Sequence, residues 1–60
     1  MESKWIGKVE AYAIVAKIMD ISKARARAIV AESLETHPGQ PRIYSRAEAV
    51  HFAHWHRRDA

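Results

Sequence analysis

The chain has no cysteine. That excludes a disulfide framework and a thiolate-based zinc site, so the fold must rest on packing, alone or with a partner. The absence is compatible with a reducing cytoplasm. The longest apolar run, Ala11 to Ala16, is six residues, far short of the ~20 that span a bilayer. A signal-peptide pattern is missing too, because Glu2 and Lys4 lead into an amphipathic stretch. A soluble, cytoplasmic protein without a membrane partner is therefore expected. Low-complexity tracts and internal repeats are absent. Proline and glycine number two each, and both prolines fall between Glu35 and Tyr44, which marks that stretch as the main irregular segment.

The length bounds the rest. Sixty residues make one domain, here 1–60. So short a chain buries only about 60 % of the surface its unfolded form exposes. A catalytic pocket would compete with the core for the same few apolar side chains. The net charge is a mild +3, but its distribution is uneven. Residues 1–30 hold six bases (Lys4, Lys8, Lys17, Lys23, Arg25, Arg27) against three acids, whereas residues 31–60 hold four of each. No acid interrupts Lys23-Arg25-Arg27. Such a cluster points to a polyanionic partner.

Periodicity predicts three helices. Residues 1–7 read as a loose start with Trp5 and Ile6 as candidate core anchors. Helix 8–19 places Val9, Tyr12, Ala13, Ala16 and Met19 at three- and four-residue spacing, with Ile14 and Ile18 widening the arc. Asp20 favours a turn, and Ser22 suits the N-cap of a second helix, 23–34. That helix buries Ala26, Ile29, Val30 and Leu34 and turns Lys23, Arg25 and Arg27 outward. Ala24 and Ala28 keep its outer surface slim.

His37-Pro38-Gly39-Gln40 fits a type II turn, with proline second and glycine third, where φ is positive. Thr36 and Arg42-Ile43-Tyr44 supply the arms of a very short hairpin over 35–44, limited by Pro41. Ser45-Arg46-Ala47-Glu48 is a capping box that opens a third helix, 46–58. Val50, Ala53 and His54 are its inward candidates, with Phe52 or Trp55 on the flank. The fold class is mostly α: three helices, a tight turn between the first two, and a short hairpin before the third.

The run Val15-Ala16-Lys17-Ile18-Met19-Asp20-Ile21-Ser22-Lys23-Ala24-Arg25-Ala26-Arg27-Ala28-Ile29 resembles the helix-turn-helix of the excisionase and MerR-type winged-helix superfamily. Ala16 matches that family's first-helix alanine, Ile18 and Met19 its aliphatic pair, and Ile21-Ser22 the end of its turn. Arg42-Ile43-Tyr44-Ser45-Arg46-Ala47-Glu48-Ala49-Val50 resembles its second wing strand and following capped helix. The likeness spans about residues 12–56. Asp20 stands where the family usually has glycine. The tip His37-Pro38-Gly39-Gln40-Pro41-Arg42 is stiffer and less charged than the usual wing, which removes the customary basis for strong minor-groove contact.

The resemblance implies a three-helix winged helix-turn-helix that binds double-stranded DNA in the cytoplasm, at the nucleoid of a bacterial host. An excisionase-like architectural role in site-specific recombination suits a chain of this size. Other copies on DNA or a recombinase would be its protein partners. A small phage transcriptional regulator or a DNA-packaging recognition domain is the alternative within DNA binding. On this reading Lys23 and Arg25 read bases, since arginine pairs bidentately with guanine. Arg27 and Arg42 contact phosphates, Ser22 and the N–H groups beside it hold another, and Gln40 and Arg46 are further DNA-contacting candidates.

Plainer readings stand beside this one. Lys23, Arg25 and Arg27 can be a solvated helix face, in which case the chain is a protein-interaction module whose helices dock a partner helix. His51, His54 and His56 invite a metal, but His54 and His56 point ~200° apart on a helix, so no metal or cofactor is expected. Ser33, Ser45 and the histidines form no recognised catalytic motif, and Ser45 is explained by capping. No enzymatic activity is expected.

Overall fold

The computed structural model describes residues 4–57. Their order is β1 (Trp5–Gly7), α1 (Lys8–Met19), α2 (Lys23–Ser33), β2 (Thr36–His37), β3 (Gln40–Ser45) and α3 (Arg46–Arg57). The result is a small, mostly helical domain with a three-stranded antiparallel sheet of order β1-β3-β2. No helix among the described residues is long and apolar enough to cross a membrane.

Each helix boundary has a local cause. Asp20 takes the left-handed conformation at φ 56°, ψ 52°, and its N–H bonds the carbonyl of Ala16, as does that of Ile21 at 3.0 Å. These contacts satisfy the carbonyls left open at a helix end. Asp pays less than most residues for that conformation because its short side chain bonds locally. Ser22 then caps α2: its Oγ accepts from the Arg25 N–H at 3.2 Å. Ser45 caps α3 in the same way, accepting from the Glu48 N–H at 3.3 Å. The reciprocal half of the expected box is used differently. The Glu48 carboxylate accepts instead from the Glu35 N–H at 3.4 Å, and so ties the loop after α2 to the first turn of α3.

The loose start expected for residues 1–7 is corrected at its end. Trp5, Ile6 and Gly7 pair with Ser45, Tyr44 and Ile43, and Arg46 N–H donates to the Lys4 carbonyl at 3.0 Å. Ile6 enters the core, while Trp5 stays 38 % exposed. The Trp5 ring meets His37 edge-on at 4.3 Å between centroids. The hairpin forms as expected, with Gly39 at φ 82°. Its register shifts between Thr36, opposite Tyr44, and His37, opposite Gln40. Pro41 falls in that irregular stretch, where its missing N–H removes a ladder donor.

The core comprises Ile6, Ala11, Val15, Ala26, Val30, Leu34, Tyr44, Ala49 and Ala53. Its largest fully buried side chains are Val15 and Val30, so the interior is narrow. Alanines in all three helices let α1 pack closely against both α2 and α3. This rotates α1 from the expected arc. Ala11 and Val15 face inward, Tyr12, Ile14, Ala16, Ile18 and Met19 flank them, and Val9 is 76 % exposed. In α3, Ala49 joins Ala53 inside, Val50 is half-buried and His54 is exposed. Burial holds the Tyr44 phenol above its ordinary 10.0, and charge repulsion from Tyr12 adds to the shift.

Candidate functional site

The outer surface of α2 follows from helical geometry. Ala26 and Val30 point into the core, and Ala28 lies ~180° from their mean direction. Ala24, Ala28 and Ala31 therefore form an exposed ridge without bulk. Arg25 and Arg27 stand on opposite sides of it, ~160° apart. Lys23 shares the Arg27 flank, one turn before it. The three cations are all exposed, but they do not make one face as the sequence pattern suggested. They bracket an alanine ridge.

The flank carrying Lys23 and Arg27 meets the start of α1. Lys8, Val9 and Tyr12 line one shallow cleft with Lys23, Ala24 and Arg27. A second cleft is lined by Gly7, Lys8, Val9, Glu10, Ala13, Arg42 and Ile43. Lys8 and Val9 belong to both. The two clefts therefore adjoin at the first turn of α1, and four cations from three elements (Lys23 and Arg27 of α2, Lys8 of α1, Arg42 of β3) line them. The pairing of Gly7 with Ile43 is what brings Arg42 beside the first turn of α1. Among the described residues Glu10 is the one acid that lines these clefts, and it is ion-paired with Arg46.

The remaining candidates fall around this surface in different states. Ser22 is exposed at the start of α2, and its hydroxyl is occupied by the Arg25 N–H. The N–H groups of the first helical residues have no partner within a helix, so Lys23 and Ala24 present donors there. Gln40 is exposed at the hairpin end of β3. Arg46 is partly buried, at 25 % side-chain exposure, and bound to Glu10. It clamps the start of α3 to α1, which is a structural task. Lys8 is one of the six bases of the first half of the sequence, but its distance from the α2 cluster along the chain gives it no site role there. Only the β1–β3 pairing and the α1–α2 packing bring it to the centre.

Chemically, this arrangement suits a polyanion. Four exposed side-chain cations, the open N–H groups of α2 and the positive end of its dipole act together. Among the described residues no three His, Cys, Asp or Glu side chains gather where they could hold a metal. Comparison with protein-family models, curated proteins and solved structures finds no match for this chain.

Proposed function

We propose that the chain is a winged helix-turn-helix protein of excisionase type that binds duplex DNA in a sequence-specific way. α1, the Asp20 turn and α2 form the helix-turn-helix, and β2 with β3 forms the wing. The observation that carries this reading is a pair of adjoining clefts in which Lys8 stands with Lys23 and Arg27 of α2 on one side and with Arg42 of β3 on the other.

In this reading α2 enters the major groove, which is ~12 Å wide and admits a helix. Its alanine ridge permits close approach to the base edges. Arg25 and Lys23, in the first turn, reach those edges. Arg27, Lys8 and Arg42 hold phosphates of the flanking backbone and fix the register. The protein has no catalytic role; it shapes DNA for site-specific recombination in the bacterial nucleoid.

Charge reversal tests the assignment. Arg25→Glu is expected to abolish binding to duplex DNA, with the circular dichroism spectrum and thermal midpoint unchanged, because Arg25 is exposed. Arg25→Ala should lose about 10- to 100-fold in affinity for the specific site. Unaltered affinity in Arg25→Glu would remove α2 from the interface and overturn the reading.

A further inference from the structure

A third groove lies between the C-terminal end of α2 and α3, and it shares no residue with the two basic clefts. Leu34, Phe52 and Trp55 give it an apolar lining, with Glu48 and His51 beside them. Trp55 is 60 % exposed. The domain's core closes without it, so the fold gives no reason for an indole at this position. We propose that this groove docks an amphipathic helix of a partner protein that carries Lys or Arg along the rim of its apolar stripe.

Shape and spacing favour a helix. Glu48, Phe52 and Trp55 are related by i, i+4 and i+7, so they lie along one side of α3 over ~10 Å. An incoming helix anchored at its own i, i+3/i+4 and i+7 positions matches that repeat. The volume of about 330 Å³ seats a few such anchors and sits at the small end for ligand pockets. Neither wall offers a strand edge to an extended peptide.

Charge selects the partner's rim. Among the described residues no Lys or Arg lines the groove, whereas Glu48 does. The Glu35 N–H is bound to that carboxylate, so the Glu35 side chain emerges close by, exposed. The last turn of α2 contains no base, so the negative end of its dipole is uncompensated there. Arg57 is ~180° around α3 from Glu48 and does not neutralise this side. A rim cation on the partner meets Glu48 at one end of the groove and the face of Trp55 at the other. His51 and His56 are the titratable groups facing the same groove; His56 rests against Phe52 at 4.2 Å.

The test uses two synthetic helices with the same leucine stripe, one rimmed with lysine and one with glutamate. A Trp5→Phe background leaves Trp55 as the sole tryptophan. The lysine-rimmed helix is expected to shift Trp55 emission to the blue and to bind about tenfold tighter than its glutamate counterpart. Glu48→Lys should erase that preference. Trp55→Ala, followed by chemical-shift perturbation in NMR, should weaken binding about tenfold or more. Duplex DNA binding should be unaffected by either variant, so this proposal and the one above fail separately. Equal binding of both helices, no binding of either, or indifference to Trp55→Ala would overturn it. A concentration-dependent dimer in sedimentation that disperses in Trp55→Ala would also overturn it, by giving the groove to a second copy of the chain.

Discussion

Tyr44 and Leu34 show how few side chains hold this domain. Tyr44 is buried on β3, and its phenol titrates above 10.0 because burial and Tyr12 both disfavour the phenolate. The folded state therefore holds this proton more tightly than the unfolded chain does. Its contribution to stability is fully present below the unfolded value and is lost as pH rises through the folded one. Stability should decline above about pH 10 for this reason, and Tyr44→Phe should show a shallower decline in urea titrations run across that range. An identical slope in the variant would mean that Tyr44 titrates alike in both states. Leu34 is buried at the end of α2, where it also floors the groove against α3. Leu34→Ala should cost ~2–5 kcal/mol in denaturant unfolding. In a domain this small, such a loss removes a large fraction of the total stability.

At the scale of elements, caps carry more of the definition than propensity does. Ser22→Ala removes the acceptor for the Arg25 N–H and should cost about 1 kcal/mol, visible as a lower unfolding midpoint at unchanged slope. The helix bounds were legible in the sequence for the same reason. Asp20, Ser22 and Ser45 are strong punctuation: α1 ends at Asp20, and α2 and α3 begin directly after Ser22 and Ser45. The rotation of α1 was not legible. Val9, Ala13, Ile14 and Val15 make this helix apolar nearly all round, so periodicity alone did not choose between the Val9 arc and the Ala11–Val15 arc. The choice was made by tertiary packing, which favours small Ala11 between close helices over a bulkier Val9. β1 escaped for a different reason. Three residues with one inward side chain, Ile6, carry no alternation long enough to read, and the strand exists only because β3 offers it an edge. The same pairing brings the hairpin and the start of α1 together, and so places Lys8 near Arg42. Arg25 and Arg27 were read as one cluster because they are near in sequence, yet two helical positions place them on opposite flanks.

Over the whole molecule, charge and apolar surface are sorted. Lys8, Lys23, Arg27 and Arg42 line two adjoining clefts, with Arg25 across the alanine ridge. The exposed indole of Trp55 and the carboxylate of Glu48 belong to a separate groove. A net charge of only +3 conceals this sorting, and the distribution is what governs encounter with a polyanion. The proposed DNA surface and the proposed docking groove share no lining residue, so the two proposals do not compete for one site. The basic clefts are proposed to bind duplex DNA through its phosphates. Fluorescence anisotropy of the protein with a labelled duplex of about 25 base pairs, over a salt series, tests this most directly. Three phosphate-holding cations predict a log–log slope of about −3, reduced by about one in each of Lys8→Ala, Arg27→Ala and Arg42→Ala. Absence of binding at low salt, or a slope indifferent to these three changes, would contradict the account.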